Sequence, residues 1–126
     1  VATNMIAYTH NFTKFADARK FACYIGTAPF EHSSGTSIRG KTRVSFFAYK
    51  KLKSLIDLAA KSAIQSDPEL KQYYLNRVAA GKNKMSTLNI VRNKLLTRMF
   101  AVIKRETPYQ IKILQLKCIF FLKASI

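Results

Sequence analysis

Apolar residues recur at steps of three and four along two stretches of this chain, and that spacing limits what each stretch can form. The first set is Leu52, Leu55, Ile56, Ala59, Ala60 and Ala63. The second set is Leu88, Val91, Leu95, Met99 and Val102. An α-helix brings residues at this spacing to one face, where they pack against a core. The sequence therefore predicts amphipathic helices and a mainly α fold of four or five helices.

Capping residues predict where these helices begin and end. Asp17 is a candidate N-cap, and Gly26 is a natural stop for the helix between them. Ser45 is the predicted cap of the helix that carries the first stripe. Asp67 followed by Pro68 predicts a new helix start, because proline suits the first helical position. On the last helix, basic residues are expected on the faces away from the stripe: Arg92, Lys94, Arg98, Lys104 and Arg105.

Residues 27–44 interrupt the helical pattern. They read TAPFEHSSGTSIRGKTRV, rich in Pro, Gly, Ser and Thr and without a helical period. A stretch of this length without regular structure in a small domain is usually functional or disordered. The fold class we predict is a small, mainly α domain with a long basic Ser/Gly loop that can contain short β pieces.

The charge balance indicates a polyanionic partner. The 126 residues hold 22 Lys and Arg against 6 Asp and Glu, a net charge of +16. Contacts between such cations and phosphates gain free energy by releasing counterions, so we expect a nucleic acid. No acid lies between Glu31 and Asp57, and the predicted nucleic-acid contacts fall there: Arg39, Lys41, Arg43, Lys50, Lys51 and Lys53.

Three aromatic residues lie among these cations: Phe46, Phe47 and Tyr49. Aromatic rings between basic residues suit a nucleic acid, but the same rings can equally belong to the core. The sequence leaves both interpretations open.

Gly35–Thr42 reads GTSIRGKT and matches the phosphate-binding loop pattern G-x-x-x-x-G-K-[ST] of nucleotide hydrolases. That loop needs a buried strand before it, within a parallel sheet. The preceding APFEHSS is a poor buried strand, so we interpret the match as coincidental. The loop still suits a phosphate, because Gly35 and Gly40 let backbone N–H groups approach an anion closely.

Ser33 and Ser34 lie beside this glycine, within reach of several cations. A hydroxyl in that setting is a candidate nucleophile toward a phosphodiester, with arginines stabilising the developing charge. Residues of this kind also form ordinary turns. The residues alone do not decide between the two.

No metal site or membrane segment is predicted within the chain. The six acids are scattered, whereas a divalent metal site needs converging carboxylates. Two cysteines and two histidines have no metal-binding spacing. The apolar run after Pro108 is shorter than the ~20 residues of a membrane span.

Taken together, these pieces resemble the C-terminal domain of the IS110 and IS116 insertion-sequence transposases, relatives of the Piv DNA invertase. The resemblance covers roughly residues 11–109, including GKNKMSTLNIVRNKLLTRMFAVIKRETPY near the end. The shared pattern is a Phe–Ala–x–Tyr helix, a Gly, a Pro, a Ser–Gly loop, basic residues and a Leu-rich helix. Its positions here are Phe21, Ala22, Tyr24, Gly26, Pro29, Ser34, Gly35, Lys41, Arg43, Leu52 and Leu55.

The resemblance implies a DNA-recombining enzyme whose catalytic serine, by motif position, would be Ser34, with Ser33 as the alternate. Such enzymes also use an N-terminal RuvC-like domain whose carboxylates bind Mg²⁺, and in some members a structured guide RNA. We expect Mg²⁺ in that missing domain and none in this chain, which is then expected to be inactive alone. We expect the intact protein to form an oligomer in the bacterial cytoplasm, associated with the nucleoid.

The predicted organisation has three parts. Residues 1–10 are the remnant of a preceding helix, residues 11–109 are the serine-bearing domain, and residues 110–126 are an atypical tail. The alternative function is a non-catalytic basic helical module that binds RNA or DNA. A nucleotide hydrolase is the third interpretation.

Overall fold

The computed structural model describes residues 1–31, 33–34 and 38–110, and only the backbone of residues 33, 34, 38 and 39. The described part contains five helices, numbered in chain order. Their bounds are α1 Ala2–Thr9, α2 Ala18–Ile25, α3 Lys50–Ser66, α4 Pro68–Ala79 and α5 Lys84–Arg105. The mainly α prediction is confirmed. Gly35 and the predicted tail from residue 111 onward lie outside the described residues.

Local sequence signals explain several helix ends. Asp67 caps α4, and its Oδ1 accepts a hydrogen bond from the N–H of Glu69 at 2.9 Å. Asn83 caps α5 in the same way, accepting from the N–H of Met85 at 2.8 Å. Helix α2 starts after Asp17 and ends at Gly26, which has the left-handed φ of 77° that glycine adopts readily. The starts of α2 and α4 and the stop at Gly26 agree with the predicted boundaries, whereas the cap of α5 was not predicted.

The apolar stripes pack as the sequence predicts. Leu52 and Ile56 of α3 are fully buried with Met5, Phe21 and other residues of α1, α2 and α5. A second cluster joins α3, α4 and α5 through Ala60, Leu70, Leu88 and Val91. Leu95 borders both clusters. Helices α3 and α5 therefore form the centre of the domain.

Two local predictions are wrong. Helix α3 begins at Lys50, not after Ser45, because Ala48 packs against Gly26 and holds the intervening residues out of the helix. Arg92 is only 8% exposed, although we expected it on an exposed face. It lies four residues after Leu88, on the side of α5 that faces α3, where Asp57 provides a carboxylate.

The four strands are two residues each and lie in the predicted loop. Strand β1 (Pro29–Phe30) pairs antiparallel with β4 (Arg43–Val44). Strand β2 (Ser33–Ser34) pairs antiparallel with β3 (Ile38–Arg39). We call residues 29–44 the ribbon. No helix of the described residues has both the length and the apolar character that crossing a bilayer requires.

Candidate nucleic-acid interface

The ribbon pairs the two serines with residues of its second arm, one of which is basic. Ser33 pairs with Arg39, and Ser34 pairs with Ile38. At the base, Phe30 pairs with Arg43. Two residues separate these paired positions on the first arm and three on the second, so the register shifts by one. The extra residue lies within 40–42, between β3 and β4.

The first arm is held to the helical body where it leaves α2. Thr27 is fully buried, and its carbonyl accepts hydrogen bonds from Asn89 Nδ2 at 2.8 Å and Asn93 Nδ2 at 3.2 Å. The Thr27 hydroxyl donates to Asn93 Oδ1 at 2.9 Å. Two asparagines one turn apart on α5 therefore fix the start of the ribbon. We did not predict them; the available signal was their spacing of four beside the apolar stripe.

Gly26 is required at this junction. A Cβ there would lie 2.2 Å from the Cβ of Ala48, far inside any real contact. Its φ of 77° also disfavours other residues. Gly26 precedes the ribbon and Ala48 follows it, so the contact between these two residues brings the two ends of the ribbon together.

A tyrosine cluster holds the second arm. The N–H of Tyr49 donates to the carbonyl of Tyr24 at 3.3 Å, and the two rings stack with centroids 5.9 Å apart. The Tyr49 hydroxyl donates to the hydroxyl of Tyr8 at 3.1 Å. That hydrogen bond, followed by desolvation, raises the pKa of Tyr49, because both favour the neutral phenol. Tyr49 is thus a structural residue, which answers one of the questions left open by the sequence.

The predicted cations are largely exposed. Lys41 and Arg43 on the ribbon are exposed, as is Gly40 beside them. Lys50 and Lys51 are exposed in the first turn of α3, while Lys53 is half-buried. For Arg39 only the backbone is described, opposite Ser33. The structure therefore brings Lys41 and Arg43 onto the arm opposite the serines and places the three lysines just after the ribbon.

The lysines of α3 lie at the wrong end for helix stability. A helix N-terminus carries a partial positive charge, and cations there are unfavourable by about 0.3–1 kcal/mol each. The first turn of α3 has no acidic residue, and no side chain caps it. An anion bound at this end would balance the lysine charges and would take the place of the missing cap. A purely structural role for these lysines does not explain why they lie at this end.

The geometry does not fit a nucleotide-binding loop. In the described residues, Thr42 is followed by strand β4, and the next helix starts only at Lys50. The strands that flank the motif are antiparallel. A phosphate-binding loop passes directly from a parallel strand into a helix.

Three acids of the helical body are already paired with cations. Asp57 contacts Lys61 at 2.8 Å and also pairs with Arg92. Desolvation by itself would raise the pKa of Asp57, but the hydrogen bonds from Lys61 and Arg92 outweigh it and keep that pKa below its ordinary value. Arg98 likewise bridges the carboxylates of α4 and its cap, Asp67 at 3.0 Å and Glu69 at 2.8 Å.

These pairings leave no fit for a metal ion in the described part of the chain. Within residues 1–31, 33–34 and 38–110, no three His, Cys, Asp or Glu side chains converge. We therefore derive no chemical step through a metal held by these residues.

Comparisons with known proteins find similar chains in one family. Residues 1–75 match the family described as Transposase IS116/IS110/IS902. The chain is 29% identical over 102 residues to the pilin gene-inverting proteins of Moraxella lacunata and Moraxella bovis, covering 80% of this chain and 32% of each relative. It is 32% identical over 98 residues to the insertion element IS110 uncharacterized 43.6 kDa protein of Streptomyces coelicolor, covering 78% of this chain and 24% of that protein.

The chain thus spans about a third or less of the length of these relatives. The family match covers more than half of the chain and includes α1, α2, the ribbon and α3. The chain belongs to the IS116/IS110/IS902 family of transposases.

Proposed function

We propose that the ribbon and the first turn of α3 bind the sugar–phosphate backbone of DNA during transposition. The observation that carries this proposal is the exposure of Lys41 and Arg43 on the arm opposite the serines, next to lysines at the start of α3 that no acid balances. Family membership supports DNA as the polyanion, because a transposase acts on DNA. The relatives named for pilin gene inversion add the same support.

We further propose that Ser34 attacks the backbone in the intact enzyme, with Ser33 as the alternate. Its hydroxyl would lose its proton and its oxygen would form a bond to phosphorus, while the bond from phosphorus to the leaving sugar oxygen breaks and that sugar oxygen takes up a proton, so that no net proton is gained or lost. Lys41 and Arg43, with Arg39 and Gly40, would stabilise the charge on the phosphate, as cations and backbone N–H groups do at such transition states. Lys50, Lys51 and Lys53 would position the neighbouring phosphates.

The remaining partners follow from the resemblance alone. We propose that carboxylates of a RuvC-like domain outside these residues would hold Mg²⁺, which would supply Lewis-acid stabilisation of oxygen atoms in phosphoryl transfer. A structured guide RNA and an oligomeric assembly, with the protein on the bacterial nucleoid, belong to the same proposal.

DNA binding by the ribbon is tested by the salt dependence of affinity. We expect Lys41→Ala/Arg43→Ala to weaken binding and to reduce the slope of log K against log salt by about 2, at about 0.9 per phosphate contact. The matched control, Lys71→Ala/Lys82→Ala, removes the same charge from exposed sites on and after α4. Equal losses from the two pairs would contradict the proposal, since general charge would then explain binding.

The serine is tested in a full-length relative by trapping protein–DNA adducts on suicide substrates. Replacing the serine at the position of Ser34 with alanine should abolish adducts, and the same change at the position of Ser33 should leave them. Adducts at normal yield without the Ser34 hydroxyl would reject its role.

A non-catalytic RNA- or DNA-binding module is the second candidate, favoured by the charge of +16 alone. It is preferred if recombination survives the loss of Ser34 while Lys41→Ala/Arg43→Ala abolishes binding.

A further inference from the structure

Two adjacent phenylalanines between the ribbon and α3 are almost fully exposed. Phe46 is 85% and Phe47 is 93% exposed, above every other large apolar residue of the described chain. Single exposed apolar residues are common on protein surfaces. Two neighbouring rings in water, beside a proposed DNA-binding surface, require a separate explanation.

The exposure is imposed by contacts on both sides of the pair. Before it, the Ser45 hydroxyl accepts a hydrogen bond from the N–H of Phe47 at 3.3 Å. After it, Ala48 is packed against Gly26, and Tyr49 is tied to Tyr24 and Tyr8. The backbone is therefore held at both ends in a form that points the two rings away from the core.

The arrangement of the rings leaves them able to accept a partner. The ring planes are nearly perpendicular, at 83°, with centroids 6.2 Å apart. A pair packed edge to face in this way does not cover both faces of either ring. Lys50 Nζ lies over the Phe46 ring, 5.9 Å from its centroid, so a cation already belongs to the same surface and the face of Phe47 is the more open one.

The surrounding charge identifies the class of partner. Arg43, Lys50 and Lys51 are exposed and lie within four residues of the pair in sequence, and the sequence holds no acid between Glu31 and Asp57. An apolar protein surface, or a second copy of this basic chain, would have to desolvate these cations without pairing them. Unpaired nucleotides offer a partner for the rings and for the cations, since their bases stack on aromatic rings and their phosphates pair with cations.

We propose that Phe46 and Phe47 stack on DNA bases that are unpaired from the complementary strand, so that this surface prefers DNA with an open segment over uninterrupted duplex. The inference rests on the proposed function, because the ribbon cations bring the strand to the rings. Beyond backbone binding, the inference specifies which state of the DNA this surface recognises.

The test compares two labelled DNAs of one sequence, a duplex and the same duplex with a central unpaired bubble. By fluorescence anisotropy, the wild-type chain should bind the bubble more tightly. Phe46→Ala/Phe47→Ala should lose at least about fivefold in affinity for the bubble, the lower end for one stacked base, and should keep its affinity for duplex. Phe46→Tyr/Phe47→Tyr should retain the preference, whereas Phe46→Leu/Phe47→Leu should lose it, since leucine is apolar but has no ring.

A spectroscopic readout reports stacking directly. The chain contains no tryptophan, so Phe47→Trp introduces a single indole at the site. Its fluorescence should be quenched by bubble DNA and little changed by duplex. The control is Leu58→Ala/Leu75→Ala, which removes exposed apolar side chains from α3 and α4 and should leave both affinities unchanged.

The outcomes separate this inference from the proposed function. Equal binding of the wild-type chain to duplex and bubble, or a preference that survives Phe46→Ala/Phe47→Ala, overturns the stacking inference while leaving DNA binding intact. Loss of that preference in the leucine and alanine variants, with retention in the tyrosine variant, supports it. Failure of the wild-type chain to bind either DNA would reject both.

Discussion

The helical body and the ribbon use their charged residues in different ways. In the body, Asp57, Asp67 and Glu69 each contact a lysine or arginine from α3 or α5. On the ribbon and at the start of α3, Lys41, Arg43, Lys50 and Lys51 are exposed. Every ion pair among the described side chains involves α3, α4 or α5, or the cap between α3 and α4.

This difference indicates which charges serve stability and which are available to a ligand. Removing a buried ion-pair partner leaves an uncompensated charge in the protein interior, which is costly. Removing an exposed cation changes stability little and changes attraction to a polyanion. The two regions should therefore respond to mutation in opposite ways.

The largest expected effect is on the body. Asp57→Ala leaves Arg92, whose side chain is 9% exposed, without its carboxylate. We expect the free energy of unfolding to fall by about 3 kcal/mol, measured by urea denaturation. Lys61→Ala is the control, because the Lys61 side chain is 57% exposed and should cost less than about 1 kcal/mol. Equal costs for the two changes would show that Arg92 does not depend on Asp57.

The next effect is at the junction of the two regions. Gly26→Ala should destabilise the protein by about 2 kcal/mol or more, from a strained positive φ together with overlap with Ala48. Gly81→Ala is a matched control, since Gly81 has φ 76° but no atom within 4 Å of an added Cβ. Thermal or urea unfolding should show a smaller loss there, of about 1–2 kcal/mol. Equal losses in the free energy of unfolding would show that overlap with Ala48 adds nothing to the cost of Gly26→Ala.

A smaller effect is expected from acid. The pKa of Asp57 is lowered in the folded state, so its contribution to stability is complete above the unfolded pKa of about 3.9 and is lost as pH falls below it. The difference in unfolding free energy between the wild-type chain and Asp57→Asn should therefore shrink below about pH 4. Urea titrations at a series of pH values measure this, and a difference that grows in acid would contradict the ion-pair assignment.

The smallest effect on stability is expected from the ribbon. Lys41→Ala/Arg43→Ala should change the free energy of unfolding by no more than about 0.5 kcal/mol, as exposed substitutions usually do. Urea denaturation of the same samples used for DNA binding measures this. A loss of 2 kcal/mol would place these cations in the structural network and remove the distinction between the two regions.

Features that depend on neighbouring residues were predictable from the sequence. The stop at Gly26, the start at Asp67 and Pro68, and the apolar stripe of α3 depend on turn chemistry and helical spacing. The family resemblance was also correct, because the Ser–Gly loop with its flanking residues is specific as a set.

Features that depend on distant contacts were not predictable. The burial of Arg92 requires Asp57, which is 35 residues away. The late start of α3 requires contact between Ala48 and Gly26, and the asparagine pair on α5 acts on a carbonyl more than 60 residues earlier. The exposure of Phe46 and Phe47 follows from the same contact between Ala48 and Gly26. From the sequence alone, stacking on a nucleic acid and packing in the core were therefore equally possible for these two rings.

The most direct measurement of the central claim is hydrogen–deuterium exchange of the chain with and without DNA. If the ribbon and the start of α3 contact the backbone, amides of residues 38–44 and 50–53 should exchange more slowly when DNA is present, while α4 is unchanged. Protection confined to α4 and the C-terminal half of α5, with the ribbon unaffected, would contradict the account.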